Sequence, residues 1–282
     1  MAGAVVFGGG GVAGIAWEIG VLMGLEERAP HAFTQIRDAA TTYIGTSAGS
    51  AVAAQLASGV PLSRLYEAQL EAETAEISVE VDFAAYAATW GRIRAEAQSP
   101  DDERRRIGAM AEQTDSAVAP ARAAAIAARL PVPHWPAQRM LITAVDVQTG
   151  EPRVFDRASK VALVDAVAAS CAVPGVWPVV EIAGRRYMDG GVRTIANVDL
   201  AAGCDPVLII VPGAEVGPLG EAVPGHERAA LGSARVMSIF ADDASIAAFG
   251  TNPLDPSARP AAARAGRDVG VRLAAEVDEF WR

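Results

Sequence analysis

The sequence predicts an α/β protein in which a mainly parallel sheet lies between layers of helix, and three observations predict it. Short apolar runs of strand type, among them Ala4-Val5-Val6-Phe7, Thr41-Thr42-Tyr43-Ile44, Met140 to Asp146 and Val207 to Val211, are separated by stretches of helical period. The first two runs each pass directly into a glycine-bounded turn and then a helix, and that order implies parallel strands joined by crossovers. The 282 residues are 51% hydrophobic and 21% charged, a globular composition, and the abundant alanine suits helices packed closely on a sheet. We therefore expect one domain, residues 1–282, built as a three-layer α/β/α sandwich.

In chain order, Ala4 to Phe7 reads as a buried strand that runs straight into Gly8-Gly9-Gly10-Gly11-Val12-Ala13-Gly14. In the helix that follows, Ile15, Ile19, Leu22 and Met23 share a face, with Glu18, Glu26, Glu27 and Arg28 off that face or at its end. Thr41 to Ile44 forms the second strand, ended by Gly45-Thr46-Ser47-Ala48-Gly49 and followed by a helix to about Ser58. From about 61 to 135 the chain is rich in alanine, glutamate and arginine with little strand signal, which predicts a helical insertion. Its aromatic residues Phe83, Tyr86 and Trp90 suit either a cap over the site or helices that only pack on the sheet. Strands return at Met140 to Asp146, Arg153 to Phe155, a segment ending at Asp189, and Val207 to Val211, with a short helix at Leu163 to Ser170. The tail, about 227–282, is expected to be mostly helical and broken between Gly250 and Pro256, where Asn252-Pro253 and Asp255-Pro256 are turn signals.

Composition excludes several function classes. A net charge of -10 argues against nucleic acid and against electrostatic docking onto anionic lipid, so any peripheral membrane contact would be mostly apolar. Cys171 and Cys204 have no metal-type spacing and suggest no disulfide framework, which fits a reducing, cytoplasmic setting. Between Ala4 and Leu25 stand seven glycines and Glu18, and no basic region precedes them, so neither a signal peptide nor a spanning helix is expected.

Ser47 is the candidate nucleophile, because a serine in a cramped strand-to-helix turn needs glycine on both sides, and Gly45 and Gly49 supply it. The glycine run after the first strand offers successive backbone N–H groups at a helix start, a site for negative charge. That charge could be a dinucleotide pyrophosphate, since Gly9-x-Gly11-x-x-Gly14 fits the fingerprint, or the oxyanion of an acyl-transfer intermediate. A dinucleotide site wants an acidic residue after the second strand, where this chain has Gly45-Thr46-Ser47. For a base there are three histidines, of which His226 alone, with Ser47 and Asp189, follows the chain order of a hydrolase triad; His31 and His134 read as exposed loop residues. Asp189, in Met188-Asp189-Gly190-Gly191, is the stronger candidate: a carboxylate shielded from water gains basicity and can act without a histidine. Asp-Gly alone also reads as a hairpin turn.

The glycine run, Gly-x-Ser-x-Gly and Asp-Gly-Gly, together with Ala169-Ser170-Cys171-Ala172-Val173-Pro174-Gly175-Val176-Trp177-Pro178 ahead of the aspartate, resemble the patatin-like phospholipase family over most of positions 4 to 212. The resemblance implies a patatin-like sandwich, with Ser47 as nucleophile, Asp189 as general base, and the amides of Gly10, Gly11 and Val12 as oxyanion hole. Gly9, Gly14, Gly45, Gly49, Gly190 and Gly191 would complete its motifs. It implies a serine lipid acyl hydrolase of phospholipase, lipase or esterase type, acting on a lipid or fatty-acyl ester with neither metal nor organic cofactor. One position departs from the family: many members carry Arg or Lys where this chain has Ala13. That departure keeps open a non-catalytic lipid- or partner-binding protein. Pocket depth and cap shape decide between short and long acyl groups, and between water and an alcohol as acceptor.

Overall fold

The computed structural model describes residues 2–217 and 220–282. Strand β1 (Ala4–Phe7) passes through the glycine loop into helix α1 (Gly11–Arg28), and α2 (Pro30–Ile36) turns the chain back toward β2 (Thr42–Gly45). Helix α3 (Ala48–Ala57) begins directly after Ser47. Four helices, α4 (Leu62–Leu70), α5 (Phe83–Glu96), α6 (Pro100–Ala111) and α7 (Ala119–Ala128), occupy the expected insertion. Strands β3 (Met140–Asp146) and β4 (Pro152–Phe155), helix α8 (Leu163–Ser170), and strands β5 (Val180–Ile182), β6 (Arg185–Asp189) and β7 (Val207–Val211) follow. A small pair, β8 (Val216–Gly217) and β9 (Gly220–Glu221), precedes α9 (Gly225–Ala230), β10 (Val236–Phe240), α10 (Asp243–Phe249) and α11 (Arg259–Phe280).

The central sheet has the order β10-β7-β1-β2-β3-β6-β5, with β4 also paired to β3. It is mixed and mostly parallel: β10, β7, β1, β2 and β3 run together, whereas β4 and β6 are antiparallel to β3, and β5 to β6. Because strand side chains alternate, Val5, Phe7, Tyr43, Ile142 and Leu208 meet one helix layer. Ala4, Val6, Ile44, Leu141 and Ile209 face the opposite cover, formed by residues around Val198 and Leu231. A third apolar cluster joins Trp90 of α5 and Ile107 of α6 to Val145 and Met188 at the far end of β3 and β6.

Local chemistry explains the helix starts. Asp82 caps α5 by accepting from the Ala85 N–H, and Ser99 caps α6 by accepting from the Asp102 N–H. The charged run in the insertion is the exposed side of α6, where Arg106 pairs with Asp102 one turn before it.

Two expectations are corrected. Residues 236–240 lie in the tail expected to be mostly helical, yet they form a parallel strand, Val236 paired to Val207 and Phe240 to Val211. Glu18, expected away from the apolar face, is fully buried, because α1 is covered by the sheet on one side and by α11 on the other. Burial pushes its carboxyl well above the usual carboxylate range. Among the described residues no helix is long and apolar enough to cross a membrane.

Candidate active site

Sheet register brings the two candidate residues together. Phe7 of β1 lies opposite Gly45 of β2, and Gly45 opposite Ile142 of β3, so the glycine loop and the Ser47 turn leave the sheet side by side at the C-terminal ends of its parallel strands. On the other side of β3, antiparallel β6 sets Asp189 opposite Ala144. Ser47 and Asp189 therefore flank β3 at the same level, and the Ser47 hydroxyl donates to Asp189 Oδ2 at 2.6 Å.

The Ser47 turn is strained as its sequence demands. Ser47 has φ 52 and ψ -116, a conformation that L residues rarely adopt and that neighbouring contacts must hold. Those contacts are specific: the Ser47 N–H donates to Ser170 Oγ at 2.9 Å, and its carbonyl accepts from Ser50 Oγ at 2.6 Å and from the Cys171 thiol at 3.3 Å. Close approach explains the second flanking glycine, since a Cβ on Gly49 would stand 2.2 Å from the Phe7 carbonyl oxygen.

Asp189 is 5% exposed. Burial raises its carboxyl from 3.8 to about 6, against the lowering effects of the Ser47 hydroxyl, the Gly191 N–H and the nearby Arg122 charge. Its Oδ1 accepts from the Gly191 N–H at 2.7 Å, which leaves Oδ2 for Ser47. A polar network behind the site joins the two turns: Thr143 Oγ1 and Asn197 Nδ2 each donate to Thr46 Oγ1 at 3.0 Å, and Asn197 Nδ2 also donates to the Gly190 carbonyl at 3.4 Å. None of the three histidines joins this site: His31, His134 and His226 are all exposed.

Ser47 and Asp189 open onto a cavity of about 170 Å³ whose other walls are Gly9, Gly10 and Gly11, the insertion residues Phe83, Tyr86 and Trp90, and Val192, Ile195, Pro212 and Leu254 among others. The α5 aromatics thus face the site rather than merely covering the sheet. The amides of Gly10, Gly11 and Val12 have no hydrogen-bond partner among the described residues, while those of Gly9 and Ala13 are taken by the Ile195 and Pro253 carbonyls. A side chain at Gly10 would meet Pro212 Cγ at 2.3 Å, so the loop lies flat on that proline. Val12 differs from its neighbours: its side chain borders a second cavity, beside Gln55 and Arg129. Gly14, Gly45 and Gly190 are each packed too tightly for a Cβ, Gly190 against Thr143 Oγ1 at 2.2 Å. Gly191 borders the cavity, its own Cβ position 3.0 Å from Asp189 Oδ1.

Sequence reading missed Ser170, Asn197, Ile195 and Leu254 as parts of this site. Ser170 stood within a motif already singled out, but the others carry no local signal: Asn197 meets Thr46 and Ile195 meets Gly9 across more than 100 residues of sequence, and Leu254 comes from the tail.

A family model described as patatin-like phospholipase matches residues 5–202. Among solved structures, VipD from Legionella pneumophila is similar with a TM-score of 0.48 and 13% identity, covering 98% of this chain and 67% of that one. The type III effector protein ExoU is similar with a TM-score of 0.43 and 19% identity, covering 98% of this chain and 53% of that one. No curated protein matches the sequence.

Proposed function

Because the chain belongs to the patatin-like phospholipase family, matched over residues 5–202, we propose that it is a serine acyl hydrolase cleaving fatty-acyl esters with Ser47 and Asp189 as its reacting pair. The observation that carries this reading is the 2.6 Å hydrogen bond from Ser47 to a buried carboxylate at the floor of an apolar cavity. Asp189 takes the Ser47 proton as Oγ attacks the ester carbonyl carbon, and the carbonyl oxygen takes up negative charge beside the free amides of Gly10, Gly11 and Val12. Collapse of the tetrahedral species expels the alcohol, which leaves with the proton held by Asp189. Water then attacks the acyl-serine, Asp189 accepting its proton, and the acid departs as Ser47 regains its hydrogen. Direct deprotonation by a carboxylate suits a site where burial has raised Asp189 toward neutrality.

Ala13 removes the positive charge many relatives place at the loop. Here the helix start is steadied by the Ala13 N–H donating to the Pro253 carbonyl at 2.9 Å, and Arg122 supplies the cationic influence on Asp189.

Hydrolysis of p-nitrophenyl butyrate tests the assignment. Ser47→Ala and Asp189→Asn should each lower kcat/KM by about 10³-fold or more, and His226→Ala should leave it unchanged. A folded wild-type protein that neither turns over esters nor reacts at Ser47 with a fluorophosphonate would instead be a lipid- or partner-binding member of the family.

A further inference from the structure

Beside the catalytic cavity lies a second and larger one, of about 670 Å³, between α5, α6 and the turn at Gly175 and Val176. The two cavities share a single lining residue, Tyr86. Its ring stands in a row along one face of α5, 6.0 Å from that of Phe83 and 5.6 Å from that of Trp90, and both neighbours line the inner cavity. Tyr86 lines the same cavity as Ser47 and Asp189, and burial and the nearby Asp189 charge both push its phenol up.

Size decides what each space can hold. An apolar void of about 150 Å³ accommodates a six-carbon ring, so the inner cavity, at about 170 Å³, takes an acyl chain of about six carbons. A longer chain that follows α5 passes Tyr86 into several times the volume, where Met110, Val79 and Val176 offer apolar wall beside the polar Glu80, Asp82, Gln113 and Thr114. We propose that Tyr86 is a specificity-determining residue, a partition that limits the acyl group to short chains by closing the inner cavity from the outer one. The proposal rests on the assignment of Ser47 as nucleophile and adds to it the substrate class: esters of short-chain acids.

Two measurements separate the partition from that assignment. The first is the kcat/KM profile of p-nitrophenyl esters from acetate to palmitate. Wild type should peak at or below hexanoate and fall at least about tenfold by decanoate, whereas Tyr86→Ala should raise the decanoate-to-butyrate ratio at least about tenfold. Tyr86→Phe, which keeps the ring, should retain the wild-type profile, and Tyr86→Leu reads the same opening as alanine if the smaller residue does not fold. Adding Met110→Trp to Tyr86→Ala should refill the outer space and reverse the shift. The second is calorimetric binding of straight-chain fatty acids to Ser47→Ala, with and without Tyr86→Ala. Fatty-acid binding that breaks at about six carbons only when Tyr86 is present upholds the partition even where no ester is turned over, an outcome that removes the nucleophile assignment alone. A wild-type preference for palmitate, or profiles that do not move on opening position 86, overturns the partition.

Discussion

In the proposed role of base Asp189 must be ionised, yet it is buried where ionisation is costly, and both consequences are measurable. With its carboxyl raised to about 6, kcat/KM should fall on the acid side along a limb centred near that pH, and Arg122→Gln, by removing the cationic influence that opposes the rise, should move the limb upward. A limb near 4 would mean that Asp189 titrates as an ordinary carboxyl, against the burial argument. The sign for stability is opposite to that of a salt-bridged carboxylate. A folded carboxyl that titrates above its unfolded counterpart contributes stability fully below about 3.8 and loses it as pH rises through about 6. The shift of about two units corresponds to ~3 kcal/mol of strain at neutral pH. Asp189→Asn retains an oxygen for the Gly191 N–H, so at pH 8 it should melt at or above the wild-type Tm, with the gap roughly halved at pH 5 and closed only below about 3.8. An asparagine variant less stable than wild type at pH 8 would contradict the burial argument. At this scale the two residues of the proposed pair were legible because their constraints are local: Ser47 needs glycine beside it, and Asp189 announces itself through the two glycines that follow. Asn197 and Ser170 were not legible as site residues, since what makes each matter is a partner more than 120 residues away, Thr46 for one and Ser47 for the other.

Among elements, the tightest packing joins the first long helix to the last. Gly20 and Gly24 on α1 face Gly266 and Gly270 on α11, four residues apart in both cases, so each helix presents bare backbone to the other. A Cβ on Gly266 would lie 2.1 Å from the Trp17 carbonyl oxygen, and one on Gly270 would lie 2.2 Å from that of Val21. Neither obstacle is a flexible side-chain end, so relief requires the helices to part. Gly266→Val should therefore cost roughly 3 kcal/mol or more, beyond the usual range for overpacking in a core, and should lower Tm before it alters the chemistry at Ser47. An unchanged melting temperature would show that the helices separate freely. The same pairing explains what the sequence hid. The glycines of α11 look like helix weakeners until α1 is set against them, and β10 is a five-residue run, Val-Met-Ser-Ile-Phe, whose strand character comes from its pairing with β7 rather than from alternation. By contrast α8 was readable from sequence, being a short apolar helix with a proline closely following it.

For the molecule as a whole, the site depends on chain that the family match does not include. The match ends at residue 202, yet Pro212 floors the glycine loop, the Pro253 carbonyl holds the start of α1, and Leu254 walls the cavity. Asn252 links this tail to the insertion: its side-chain N–H donates to the Val79 carbonyl at 2.6 Å, just ahead of Asp82, the residue that caps α5. Core, insertion and tail thus meet around one cavity, and α5 is held from two sides, by its packing on α6 and by the strap through Asn252. The Asn252 side chain also accepts from the Leu254 N–H at 3.1 Å, and loss of two partly buried hydrogen bonds at about 1 kcal/mol each is too little to unfold the chain but enough to loosen the segment that presents Phe83 and Tyr86. Asn252→Ala should therefore lower Tm only slightly while raising KM for short acyl esters severalfold, with kcat less affected because Ser47 and Asp189 are held independently by β2 and β6. An equal fall in kcat would mean that the tail acts on the proposed Ser47 and Asp189 pair, through Pro253 and the glycine loop, rather than on the cavity wall that Phe83 and Tyr86 form.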